Sequence, residues 1–168
     1  MAKKQRLDKA IAMQGSLSRS EVKTLIRKGA VTVNGQVVKN ADFGVDFDSD
    51  TVAVQGKELS LSMHIYLMLN KPKGVVSASE DKKLPTVVDL VPKELWRKGL
   101  FPAGRLDKDT TGFVLITDDG EFAHDILSPK KHISKTYHAL VNGTITDEMV
   151  EGFAKGVTIG EDFTLPAS

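Results

Sequence analysis

The segment Gly104-Arg105-Leu106-Asp107-Lys108-Asp109-Thr110-Thr111-Gly112 sets a carboxylate two residues from an arginine in a loop bounded by glycines, and it runs straight into the apolar stretch Phe113 to Ile116. A carboxylate presented at the mouth of a sheet can act as a nucleophile or as a base. The same residues have a plain structural use, because an aspartate beside an arginine in a loop also makes salt bridges and turns. A hydrolytic pair of Asp107 and Asp109 ranks far lower: their i, i+2 spacing in a loop fixes no useful separation between the two carboxylates.

Composition limits what else is available. At 168 residues, 40% hydrophobic and 27% charged, the chain has the make-up of a soluble globular protein of one ordinary domain or two small ones. It contains no cysteine, which excludes disulfides and thiolate metal sites, and His64, His124, His132 and His138 are scattered without zinc-ligand spacing. No structural metal is expected. The basic start Met-Ala-Lys-Lys-Gln-Arg is not followed by an apolar signal core, and no run approaches the roughly 20 apolar residues that cross a bilayer. A cytoplasmic location without membrane association is therefore expected.

The net charge of +1 conceals an asymmetry. Residues 1 to 39 carry nine Lys or Arg against Asp8 and Glu21, whereas residues 40 to 60 carry Asp42, Asp46, Asp48, Asp50 and Glu58 against Lys57. Such a cluster is either a solvated surface or a polyanion-binding module attached to something else. Its pattern favours binding. Ser18-Arg19-Ser20-Glu21 reads as a capping box, Val22, Leu25 and Ile26 supply an apolar stripe, and Gly29 sits where a left-handed C-cap belongs. The spacing predicts a helix from about Arg19 to Lys28 with Arg19, Lys23 and Arg27 stacked along one face. A helix from roughly Leu7 to Met13 precedes it, and two strands around Asn34-Gly35 follow within Val31 to Val38.

This helix, helix, hairpin layout, with Arg6-Leu7-Asp8-Lys9 at its head and Arg27-Lys28-Gly29-Ala30-Val31-Thr32-Val33-Asn34-Gly35 at its turn, resembles the S4 RNA-binding domain over residues 5 to about 53. The resemblance implies that Arg6, Lys9, Ser18, Arg19, Lys23, Arg27 and Lys28 line a surface that holds structured RNA by its phosphates. Contacts of that kind give affinity and position with little sequence readout.

Leu59-Ser60-Leu61-Ser62 lacks a long periodic pattern and is read as a linker between a unit of residues 1–58 and a second of residues 63–168. In the second unit a strand over Ile65 to Asn70 empties into a Pro-Gly turn, Asn70 to Val76, with Lys71 expected at its rim. A short helix over Thr86 to Leu90 and a loop through Trp96 to Pro102 lead to the strand Phe113 to Thr117. Asp118-Asp119-Gly120-Glu121 then signals a helix start, with Phe122 and Ile126 on one face. A basic loop, Lys130-Lys131-His132, a strand over Ser134 to Val141, a helix over Asp147 to Lys155 and a strand over Val157 to Ile159 complete the pattern. No regular βαβ repeat occurs, so the fold class is α+β with mixed or antiparallel pairing.

Lys71-Pro72-Lys73-Gly74, then Gly104-Arg105-Leu106-Asp107 with Thr110 to Gly120, then Lys135-Thr136-Tyr137, in that order behind an S4-like unit, resemble a bacterial small-subunit (16S) rRNA pseudouridine synthase. The resemblance implies an isomerase that cuts the N1–C1′ bond of a uridine, turns the uracil and rejoins it through C5, without a cofactor. It makes Asp107 the catalytic carboxylate, which either attacks C1′ or assists formation of a glycal. Arg105 would occupy the space left by the extracted base, against the alternative that it pairs with Asp107 or Asp109. Tyr137 would pack on the uracil and help proton transfer, against the alternative of a core tyrosine sharing a strand face with Ala139 and Val141. Lys71, Lys73 and Lys135 would face phosphates; Asp109, Asp118 and Asp119 read as structural.

Members of this family continue beyond the point matching Ser168, through basic residues of which one pairs with the catalytic carboxylate. The 106 residues from Met63 to Ser168 are thus expected to be an incomplete catalytic domain. The expected partner is structured 16S rRNA, free or in an assembling small subunit, met by a monomer. Two other readings stand beside this one: a non-catalytic S4-type RNA-binding or assembly protein, and a synthase acting on large-subunit rRNA or tRNA.

Overall fold

A computed structural model describes residues 4–15, 17–131 and 133–167. They fall into two units, Met1–Ile133 and Ser134–Ser168, each taken by itself. His132, part of the expected basic loop, lies outside the described residues.

The first unit opens with β1 (Gln5–Arg6), α1 (Leu7–Ala12) and α2 (Arg19–Arg27), followed by the short strands β2 (Val31–Val33), β3 (Gln36–Val37), β4 (Gly44–Val45), β5 (Val52–Val54) and β6 (Lys57–Leu59). Helix α2 starts where the sequence says, because Ser18 and Glu21 satisfy each other's orphan groups. The Glu21 amide donates to Ser18 Oγ at 3.4 Å, and the Ser18 amide donates to Glu21 Oε2 at 2.8 Å. Asn34 and Gly35 turn the chain between β2 and β3 with φ of 50° and 77°, the left-handed pair that a twisted two-residue hairpin requires. The Asn34 side chain donates to Asp50 and accepts from the Thr51 amide, both at 2.9 Å, so it also ties the hairpin to the acidic segment.

These strands form an antiparallel sheet of order β3-β2-β5-β6, with β1 paired separately to β4. Leu7, Ile11, Val22, Ile26, Val31, Val33, Val45, Val52 and Val54 form one core between the helices and the sheet. Burying side chains of this kind stabilises the fold by about 1.5–3 kcal/mol each.

A charge is buried at the edge of that core. Asp8 on α1 has no exposed surface. It accepts from Arg6 Nε and Nη2 at 3.2 and 3.1 Å and from Arg19 Nη2 at 3.2 and 3.1 Å, with Lys23 Nζ 3.8 Å away. Burial pushes its carboxyl upward, but the hydrogen bonds from Arg6 and Arg19 outweigh that and hold it below the usual aspartate range. One carboxylate thereby joins α1 to α2.

The remainder of this unit is built on three strands: β7 (Tyr66–Lys71), β8 (Phe101–Ala103) and β9 (Gly112–Thr117), followed by α3 (Gly120–Leu127). Strand β9 is central, antiparallel to β7 from Tyr66↔Thr117 to Lys71↔Gly112 and to β8 from Phe101↔Thr117 to Ala103↔Leu115. Every strand pair among the described residues is antiparallel; an isolated bridge between Val76 and Thr86 is parallel. Val114 and Ile116 point from β9 into a second core with Val75, Val87, Val88 and Leu100. On the opposite face Met68 and Phe113 are exposed.

Two sequence expectations change here. The segment Trp96 to Pro102, read as loop, ends in β8. Pro102 lacks an amide donor, and it is tolerated because β8 is an edge strand with one side unpaired. The helix expected over Thr86 to Leu90 is a single 3-10 turn, Val88–Leu90. Thr86 and Asp89 cap it reciprocally at 2.8 and 3.2 Å, but Val91, the residue before Pro92, is extended and ends it.

In the second unit, α4 (Asp147–Lys155) is capped by Thr146, whose side chain accepts from the Met149 amide, and β10 (Thr158–Ile159) pairs with β11 (Asp162–Phe163). The strand expected over Ser134 to Val141 belongs to no ladder among the described residues. Its alternation supplies one apolar face, but a strand exists only where a neighbour takes up its amides and carbonyls.

The Asp8 cluster carries a test. A carboxyl with a depressed folded value stabilises the protein above about pH 4, and the stabilisation is lost as pH falls through that depressed value. Asp8→Asn is expected to lower stability at pH 7 by about 1–3 kcal/mol and to flatten the acid limb of stability against pH, as urea midpoints from neutrality down to acid would show.

Candidate functional site

The antiparallel pairing of β8 with β9 leaves residues 104–111 as the connection at one end of the sheet, and the register that aligns Lys71 with Gly112 brings the turn after β7 to the same end. Gly104 and Gly112, with φ of 113° and 131°, bracket the connection in conformations open to few other residues.

The loop is gripped by its main chain from two sides. Ser77 Oγ donates to the Leu106 carbonyl at 2.8 Å and accepts from the Leu106 amide at 3.0 Å. Lys71 Nζ donates to the carbonyls of Pro72, Lys108 and Thr110 at 3.1, 2.9 and 2.8 Å. The Gly74 amide adds a bond to Lys108 O at 2.9 Å, and the Thr110 amide closes a turn onto Asp107 O at 3.1 Å. Asp107 sits between the two grips. Its side chain is exposed and forms no ion pair or hydrogen bond among the described residues, nor does that of Arg105. Neither the Arg105–Asp107 nor the Arg105–Asp109 bridge expected as an alternative is formed.

A cavity of about 510 Å³ opens over this loop, lined by Val76, Ser77, Ala78, Asp81, Arg105, Leu106, Asp107 and Lys108. Asp81 is a second carboxylate at its wall. The backbone amides of Lys83 and Leu84 donate to it at 2.8 and 2.9 Å and hold its carboxyl below the usual range. It is thus committed to its own turn.

Lys71, expected at the rim with its charge toward phosphate, is fully buried, and its three donors are spent on carbonyls. Lys73 is exposed. Lys135 and Tyr137 lie in the second unit, exposed and outside any ladder, Tyr137 at 67%. Asp119 caps α3 by accepting from the Phe122 amide at 3.0 Å and takes a 2.6 Å bond from Tyr66, which pushes the phenol up to about 12. Asp118 instead accepts from the Ile65 amide at 2.9 Å. Ser77 and Asp81 escaped the sequence reading: a lone serine carries no signal, and Asp81-Lys82-Lys83 shows only turn chemistry.

At the N-terminal helices, Arg6, Lys9, Ser18, Arg19, Lys23, Arg27 and Lys28 are all exposed. Ser18 Oγ is occupied by the helix cap. Arg6 is held between Asp8 and Asp42, and Arg27 folds back onto the Lys23 carbonyl at 3.3 Å. A cleft of about 380 Å³ is lined by Arg6, Lys23, Arg27, Lys39, Asn40, Ala41 and Asp42. Lys39, just past the expected hairpin, joins the cations that the sequence pattern grouped. Four cationic side chains and the Asp42 carboxylate thus share one concavity, and clustered positive charge of this kind attracts polyanions.

Residues 65–161 match the family model described as RNA pseudouridylate synthase, and residues 5–52 match that of the S4 domain. The chain is 48% identical over 154 residues to a Bacillus subtilis protein named uncharacterized RNA pseudouridine synthase YtzG, covering 92% of this chain and 64% of that protein. It is 44% identical over 167 residues to ribosomal small subunit pseudouridine synthase A of Escherichia coli, covering 96% and 71%. Against ribosomal large subunit pseudouridine synthase B of Bacillus subtilis it is 40% identical over 164 residues, covering 97% and 66%. A solved structure described as that of pseudouridylate synthase matches with a TM-score of 0.48 at 32% identity, over 96% of this chain and 70% of that one. The chain thus spans about two thirds of the length of these relatives. With the synthase model matching more than half of its residues behind an S4 domain, and a relative 44% identical over most of both chains, this chain belongs to the RNA pseudouridylate synthase family.

Proposed function

We propose that the chain converts a uridine of small-subunit (16S) ribosomal RNA to pseudouridine, with Asp107 as the catalytic carboxylate. The observation that carries the catalytic reading is the state of Asp107: exposed, without a partner among the described residues, and fixed through its neighbours' main chain at the wall of a cavity of about 510 Å³; the 44% identity to the small-subunit enzyme of Escherichia coli supports the 16S target. In the reaction the N1–C1′ bond breaks, the uracil turns, and a C5–C1′ bond forms. The proton on C5 leaves to solvent and N1 takes one up, so no electrons or groups are gained and no cofactor is required. The carboxylate assists cleavage at C1′, and a loop that is already ordered spends no free energy on arranging it.

A base within folded RNA must be swung out of its stack to reach such a cavity. Arg105, unpaired beside Asp107, is suited to fill the space left behind, with a planar cation that stacks and donates hydrogen bonds. Tyr137 is assigned the face of the uracil and Lys73 and Lys135 the nearby phosphates, as the family likeness implies. Residues 1–58 serve as the docking module, 59–62 as linker and 63–168 as the catalytic part. Arg6, Lys9, Arg19, Lys23, Arg27 and Lys28 hold RNA by its backbone, in the cytoplasm and as a monomer. A second reading, a large-subunit rRNA target, is favoured by the 40% identity to the large-subunit enzyme of Bacillus subtilis.

Small-subunit and large-subunit rRNA, each labelled with tritium at uridine C5, separate these readings. Release to water from small-subunit rRNA alone is expected, falling about a thousandfold or more in Asp107→Asn. Release from large-subunit rRNA alone would select the second reading. Binding without release from either, by this chain and also by one extended to the length of its relatives, would mark a non-catalytic RNA-binding protein. Replacing Arg19 and Arg27 together with alanine should weaken RNA binding and flatten its salt dependence by up to about two phosphate contacts, which filter binding from low to high salt would measure. Lys71→Met should cost about 2–4 kcal/mol from three lost hydrogen bonds and lower kcat far more than RNA affinity, as thermal melts and steady-state kinetics would show.

A further inference from the structure

Arg97 is a charged residue with 7% of its surface exposed, and its partners are distant in sequence. Its Nη2 donates to Gln14 Oε1 at 2.7 Å, its Nη1 donates to the Ser62 carbonyl at 3.1 Å, and Asp118 Oδ2 lies 3.7 Å from it. Gln14 follows α1 in the S4 domain, Ser62 lies in the linker, and Asp118 follows the last residue of β9. Gln14 in turn donates its own amide to the Ala10 carbonyl at 2.9 Å and to the Ser62 carbonyl at 3.3 Å. Both side chains therefore bridge the two domains and the linker at one point. The backbones also meet there: a Cβ added to Gly15, whose φ is 91°, would run into the Trp96 carbonyl oxygen.

The joint and the catalytic loop lie at opposite ends of the same strand. Asp118 continues β9 at one end, and residues 104–111 enter it at the other. Six strand residues span about 20 Å, so a tilt of about 10° at the joint moves the loop by about 3 Å. That is enough to matter, since misplacement by about 1 Å can cost a hundredfold in rate.

From this placement we infer that Gln14 and Arg97 form a specificity-determining joint, which fixes the RNA-docking helices against the sheet carrying Asp107 and so sets which uridine reaches that carboxylate. The inference rests on the function proposed above. Neither residue touches substrate. Docking by phosphates supplies little sequence information, so the vector from the docking face to Asp107 does the selecting.

Gln14→Ala and Arg97→Lys test this; the lysine keeps a charge near Asp118 but lacks the planar fork by which separate arginine nitrogens reach Gln14 and Ser62. Both variants should stay folded, melting below the parent because buried hydrogen bonds are lost, and should bind small-subunit rRNA within about twofold of it, while kcat/KM at the parent's uridine falls about tenfold and pseudouridine spreads to other positions. An unchanged site with unchanged kcat/KM would overturn the inference, as would a loss of activity confined to the same uridine. A second measurement is independent of activity. The chain has no cysteine, so dyes placed through Lys57→Cys and Glu121→Cys report the distance between the domains. A narrow distribution in the parent that broadens in Gln14→Ala supports the joint, and equal widths overturn it. Were the parent to release no tritium from either rRNA, the proposed function would fail, and the distance distributions alone would decide whether the joint exists.

Discussion

The buried ammonium of Lys71 is the constraint on which the candidate site depends. Taking a charge out of water costs several kcal/mol unless its donors are met, and among the described residues no carboxylate meets them. Three carbonyl dipoles do, one from the turn after β7 and two from the loop between β8 and β9. If the loop left this geometry, an unsatisfied charge would remain in the interior. The loop's order thus follows from the cost of burying Lys71. Ser77 completes the arrangement from the other side by pinning both polar groups of Leu106.

The N-terminal domain handles charge the other way. Asp8 is a buried anion among exposed cations, and it takes up part of the positive charge that a tally of residues 1 to 39 assigns to the surface. Asp42 takes up more from Arg6. What remains is a smaller field with better-placed sources, since Arg6 and Arg19 are held in fixed orientations by a carboxylate that cannot reach solvent. Ordered guanidinium groups lose less freedom when a phosphate arrives.

How much of this could be read from the sequence follows from the range of each signal. Ser18 with Glu21, Asn34 with Gly35, and the glycines around Asp107 act within four residues or a few more, and each appears in the structure where its spacing placed it. Asp119 was likewise recognisable as a helix start. Apart from the helix expected over Thr86 to Leu90, which the extended residue before Pro92 cuts to one turn, the failures depend on partners distant in the chain. Lys71 in a Lys-Pro-x-Gly turn looks like a surface lysine, because nothing near it in sequence discloses the carbonyls of residues 108 and 110. Pro102 speaks against a strand until β8 is known to be an edge. Ser134 to Val141 has the alternation of a strand, which does not say whether a neighbour is present. For the same reason Arg97, between Trp96 and Lys98, gave no hint of Gln14.

The grip on the loop that carries Asp107 also separates two things that active sites commonly entangle. Among the described residues, Lys71, Ser77 and the Gly74 amide hydrogen-bond to main-chain atoms of residues 106, 108 and 110 and to none of their side chains. The scaffold is therefore indifferent to what Lys108, Asp109 and Thr110 display. Those positions can change while the Asp107 carboxylate beside them keeps its place, which makes the loop a modular part whose displayed side chains can diversify without rebuilding its frame.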